Sequence, residues 1–103
     1  AKAHIDAGIC GMHTDVEATA QDNYMVELNI TSTCPSIQKL ANEIPEVDAM
    51  GHLSFRRGMP EIIAKAPEYC AHPACPVPAG IIKAVEVAAG MALPKNATIT
   101  IEG

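Results

Sequence analysis

Between Tyr24 and Thr31 every second residue carries the apolar load: Tyr24, Val26, Leu28 and Ile30 alternate with Met25, Glu27, Asn29 and Thr31. A period of two marks a strand with one covered face and one wet face. Two further runs precede it. Ala3, Ile5 and Ala7 alternate with His4 and Asp6, and Thr14, Val16, Ala18 and Ala20 alternate with Asp15, Glu17, Thr19 and Gln21. Turn chemistry at Gln21-Asp22-Asn23 predicts that the second and third runs form a hairpin. The period changes at Cys34. Pro35 suits a first helical position, with Thr33 or Cys34 as the cap. Ile37, Leu40, Ala41 and Ile44 then make one apolar stripe, and Pro45 ends the helix.

Beyond Pro45 the pattern weakens. Gly51 and Gly58 interrupt residues 46–59, which read as ambiguous. Pro60 to Ala66 reads as a short helix stopped by Pro67. A third helix is predicted from about Pro78 to Ala89, with Ile81, Ile82, Val85, Ala88 and Ala89 as its stripe and Gly90 just past its end. Ala97, Ile99 and Ile101 alternate with Thr98, Thr100 and Glu102, which predicts a closing strand. The order β-β-β-α, short α, α, β predicts a two-layer α+β fold, a mostly antiparallel sheet with helices packed on one face. A chain of 103 residues without internal repeats fits a single domain over 1–103. With no Trp and only Phe55 as phenylalanine, the core must be aliphatic.

Seven basic residues against twelve acidic ones give a net charge of −5. Such a chain repels phosphate backbones, and no basic stripe is interleaved with aromatics, so no nucleic acid partner is expected. No apolar run approaches the ~20 residues that span a bilayer, so no membrane partner is expected. The first residues lack a signal-peptide pattern, which points to a cytoplasmic, reducing location. The wet face and free edge of the sheet suit a homodimer paired through that edge.

The four cysteines stand at turns and helix starts: Ile9-Cys10-Gly11, Thr33-Cys34-Pro35, and Tyr69-Cys70 leading through His72 and Pro73 to Cys75-Pro76. In a reducing compartment such cysteines more often bind metal or catalyse than form disulfides. Cys34 and Cys75 each precede a predicted helix, where the dipole lowers a thiol pKa and favours an anionic cluster. Gly8 and Gly11 let the Cys10 backbone turn tightly. Four thiolates fit a tetrahedral zinc ion or an iron–sulfur cluster. The spacing is neither that of a zinc ribbon nor that of a bacterial ferredoxin, so the ligands must converge through the fold. His72 could replace one sulfur, and His13 could face the same place. His4 belongs to the polar face of the first strand and His52 to a loop. No phosphate-binding glycine motif and no nucleophile elbow is present, which leans the reading away from an enzyme.

The leading expectation is therefore a metal or iron–sulfur site formed by Cys10, Cys34, Cys70 and Cys75. It would serve electron transfer, cluster carriage to a protein partner, or structural support. Two alternatives stand beside it. One is a metal-free thiol redox protein or enzyme, using Cys34 or a reversible Cys70–Cys75 disulfide. The other is an interaction module whose cysteines are inert filler.

The segment from Val26 to Ile37, with Cys34-Pro35-Ser36 at its turn, resembles the strand–Cys-Pro–helix unit of iron–sulfur assembly domains. In NifU-type scaffolds two cysteines flank such a turn, and Thr31 stands here in place of the first. PaaD-type domains carry one cysteine there and are the nearer likeness. The resemblance covers about 20 residues and implies a role for Cys34 toward iron or sulfur. Taken whole, through Gly8-Ile9-Cys10-Gly11 and the run from Cys70 to Pro78, the chain is similar to a small uncharacterised cysteine-containing domain of anaerobic bacteria and archaea.

Overall fold

The computed structural model describes residues 1–103. Four strands pair in the order β1-β2-β3-β4, each antiparallel to its neighbour: β1 Lys2–Asp6, β2 His13–Ala20, β3 Met25–Ser32 and β4 Glu46–Asp48. Three α-helices follow or interrupt them: α1 Pro35–Glu43, α2 Glu61–Tyr69 and α3 Val77–Ala88. The expected α+β architecture, a sheet with helices on one face, is the one observed. Val16 and Ala18 of β2 and Val26, Leu28 and Ile30 of β3 point into the core, while Asp15, Glu17, Glu27 and Asn29 stay exposed. The alternation makes this division, because successive side chains leave a strand on opposite faces.

Over the covered face, α3 lies on β1 and β2, α1 lies on β3, and α2 packs against both helices. Ile37 and Leu40 of α1, Ile62 of α2, and Val77, Ile81, Ala84 and Val85 of α3 are buried there. The approach of α3 to β1 depends on one glycine. A Cβ built on Gly80 would stand 2.5 Å from Ile5 Cδ1 and 2.8 Å from its Cγ1, inside any tolerable contact.

Three elements differ from the sequence reading. The fourth strand is Glu46–Asp48 rather than the C-terminal run, and Val47 alone turns inward, opposite Val26. Residues 97–101 form no strand, and every residue from Leu93 to Gly103 is exposed. Helix α2 also runs through Pro67 to Tyr69. Pro67 lacks one N–H but stands in the last turn, and the Cys70 N–H still closes on the Ala66 carbonyl at 2.7 Å.

His52 is buried, contrary to its reading as loop. Its Nδ1 lies 2.8 Å from the Asp48 carbonyl, and its Nε2 accepts from the Ile62 N–H at 3.2 Å. A carbonyl needs a donor and an N–H needs an acceptor, so the two bonds select the neutral Nδ1–H tautomer. The ring thus satisfies one of the unpaired N–H groups in the first turn of α2.

Two outcomes test this packing. Gly80→Leu should lower unfolding free energy by about 1–3 kcal/mol, measured by chemical denaturation, and adding Ile5→Ala should recover part of that loss. His52→Ala should cost about 1–3 kcal/mol in the same assay by leaving the Ile62 N–H buried without a partner.

Candidate thiol site

A polar knot sets the end of the sheet from which the thiols project. Thr14 Oγ1 and Ser32 Oγ face each other across the β2–β3 pair at 2.9 Å. Ser32 Oγ also accepts from the Cys34 N–H at 3.1 Å. The Thr33 N–H donates to the His13 carbonyl at 3.0 Å, and the His13 N–H returns to Thr33 Oγ1 at 2.9 Å. From α1, Gln38 reaches back with both ends of its amide: Oε1 accepts from the Ser32 N–H at 3.0 Å, and Nε2 donates to the Ile30 carbonyl at 3.3 Å. Cys34 is the N-cap of α1, held from both sides, but its side chain makes no capping bond.

The same end receives the other cysteines. Strand register sets Asp6 beside His13 and Thr14 beside Ser32, so the 7–12 loop and the Cys34 turn leave the sheet together. Gly80 rests on Ile5, one residue before the end of β1, which brings the start of α3 to this end too. Cys70 ends α2 as its C-cap, and Cys75 lies two residues before α3. Between them the His72 carbonyl gathers the loop. It accepts from the Cys75 N–H at 3.1 Å and from Cys70 Sγ at 3.8 Å. His72 itself is exposed, as is His13, which lies on the open face opposite Asp6.

Cys34, Cys70 and Cys75 are half-buried against the core, and all four cysteines are free thiols. Cys10 is exposed on its loop. Gly8 and Gly11, at φ 96° and 73°, give that loop its turns, as expected of residues without a Cβ. The Gly11 N–H closes on the Gly8 carbonyl at 2.9 Å. No group of three or more His, Cys, Asp or Glu side chains has the arrangement of a ready-made metal site.

The electrostatics of Cys75 differ from the expectation for a helix start. Burial pushes its thiol up; the Val77 N–H pulls the other way, and the Cys70 and Cys34 thiols push it further up. Desolvation of the thiolate outweighs the donor at the helix start, so Cys75 holds its proton. Cys34 and Cys70 lie within electrostatic reach of that proton. A protonated Cys75 is a poor nucleophile near neutrality, but its sulfur remains available to a soft metal that displaces the proton.

A concavity of about 290 Å³ elsewhere is lined by His52, Leu53, Phe55, Ile82 and Glu86 among others and contains no cysteine. Gln38 and the Thr14–Ser32 pair were the parts of the site without a sequence signal. A glutamine on a helix and a threonine in a strand are ordinary until the fold sets them together.

Fold and site together define a small α+β domain with free thiols gathered at one end of a half-covered sheet. The chain belongs to a family of unknown function, DUF6951, which it matches over residues 1–101. Neither a curated protein nor a solved structure matches it. The likeness of the Cys34 turn to iron–sulfur assembly domains therefore rests on those residues alone.

Labelling tests the electrostatics. Alkylation of Cys75, followed by peptide mass spectrometry across a pH series, should rise with a midpoint above the ordinary thiol range. A midpoint below that range would mean that the helix start outweighs burial.

Proposed function

We propose that this protein binds a soft metal ion or an iron–sulfur cluster through Cys34, Cys70 and Cys75, with Cys10 as the fourth ligand. The reading is supported by Cys34, Cys70 and Cys75 standing half-buried against one core, at the end of the sheet from which the Cys10 loop also leaves. Thiolate is the ligand of choice for zinc in structural sites and for iron in clusters. Binding draws the sulfurs inward from two loops, with Gly8 and Gly11 as the pivots of one. Three of the ligands stand on a packed scaffold, so the metal-bound form would be stiffer than the free one. The role that follows is cluster carriage, electron transfer or structural support in the cytoplasm.

A second reading has its own support. Cys70 and Cys75 flank a short loop, and the His72 carbonyl between them accepts from the Cys75 N–H and from Cys70 Sγ, which suits a reversible disulfide between them.

Iron, zinc and acid-labile sulfide should be measured on protein prepared without oxygen. Bound metal is expected in the wild type, with most of it lost in Cys34→Ser and in Cys75→Ser. Affinity should rise with pH, because Cys75 must surrender a proton that burial holds in place. Unchanged metal content in both variants would sink the metal reading. No metal, together with a Cys70–Cys75 disulfide that forms and reopens under a thiol buffer, would establish the second.

A further inference from the structure

Ala97-Thr98-Ile99-Thr100-Ile101 has the composition and period of a strand but no strand to pair with. Ile99 and Ile101 are 77% and 88% exposed. No backbone hydrogen bond outside the regular elements involves a residue beyond Met91, and the molecule is elongated, 42 × 27 × 27 Å. The segment is nonetheless part of the domain, because the family match runs through Ile101.

At the sheet edge, β1 has the complementary need. Ala1 bonds across to Ala18, and Ala7 bonds to Met12. Antiparallel bonding alternates along a strand, so Ala1, Ala3, Ile5 and Ala7 spend their backbone groups on β2. The N–H and C=O groups of Lys2, His4 and Asp6 then point outward at a free edge.

We propose that residues 97–102 of one chain add to β1 of a second copy as an antiparallel fifth strand, each copy donating to the other. One register satisfies every requirement. Ile101 stands opposite Ala3, Ile99 opposite Ile5 and Ala97 opposite Ala7, so all apolar side chains face the helix layer. Thr98, Thr100 and Glu102 then supply backbone partners to Asp6, His4 and Lys2. On the open face Glu102 comes to rest beside Lys2, whose Nζ lies 3.7 Å from Glu17 on its other side. The lysine is bracketed by two carboxylates. A large residue meets a small one at Ile101–Ala3, where α3 leaves Ala3 only partly covered.

The partner is a second copy because the segment stays exposed and unbonded on its own domain, and because antiparallel exchange suits a two-fold axis. It is distinct from simple pairing of two β1 edges, which would leave residues 97–101 exposed.

Light scattering over a dilution series tests the exchange on the full chain. A particle of twice the 10.8 kDa chain mass is expected, with the Ile99→Asp/Ile101→Asp variant a monomer. Lys2→Glu should weaken the dimer about tenfold, and Lys2→Glu with Glu102→Lys should restore it. These are exposed positions, so each variant should fold. A monomeric wild type at every concentration overturns the proposal. So does a dimer that survives in a chain ending at Lys95, which would assign the contact to β1 edges or to another face. Failure of the double charge reversal to restore what Lys2→Glu loses overturns the register.

Discussion

Ile5 and Gly80 touch where no side chain could stand between them, and much of the molecule depends on that contact. It seats the first turn of α3 on the last residues of β1. The helix then lies over β1 and β2, and α2 packs between it and α1. The contact also fixes the level at which the chain enters α3, and so where Cys75 lies. A side chain at residue 80 would lift the helix and move the thiol with it. Packing and site share one constraint.

The thiol group shows how burial and backbone geometry compete for one sulfur. A helix start offers N–H groups that favour a thiolate, and Cys75 has one in Val77. The surrounding apolar residues and the two neighbouring thiols oppose it and prevail. A cysteine in such a place is protected from electrophiles and oxidants that act on thiolates. It yields its proton only to something that replaces it with comparable charge at short range. That selectivity is what the proposed metal site requires of its thiol.

The hairpin of β2 and β3 is legible in the sequence because alternation over eight residues in each strand leaves no other way to bury Val16, Val26, Leu28 and Ile30. Helix α1 is legible for the same reason at a period of 3.6 residues. Strand β4 is not, since a single inward residue, Val47, cannot establish a period. The C-terminal run has the opposite problem. Its alternation is as clean as that of β1, but periodicity describes only the chain's readiness to pair and says nothing about whether a neighbour is within reach. His52 escaped because its role is set by the Asp48 carbonyl and the Ile62 N–H, groups every residue possesses. The four cysteines were visible as a set. That Cys34, Cys70 and Cys75 are half-buried while Cys10 stays on an exposed loop follows from the strand register and the Ile5–Gly80 contact, neither of which local spacing contains.

The two margins of the sheet are chemically unlike. At β4, Glu46 stands opposite Glu27, and Asp48 follows two residues on, all on the open face. The strand is only three residues long. An incoming chain would find few backbone groups there and a row of like charges, which is how natural sheets discourage stacking along a margin. The sheet is therefore polar in the sense of a rod with one blunt end. It has a terminus at β4 and a place for growth at β1, and that asymmetry protects a small, mostly aliphatic protein from runaway association while leaving one side open.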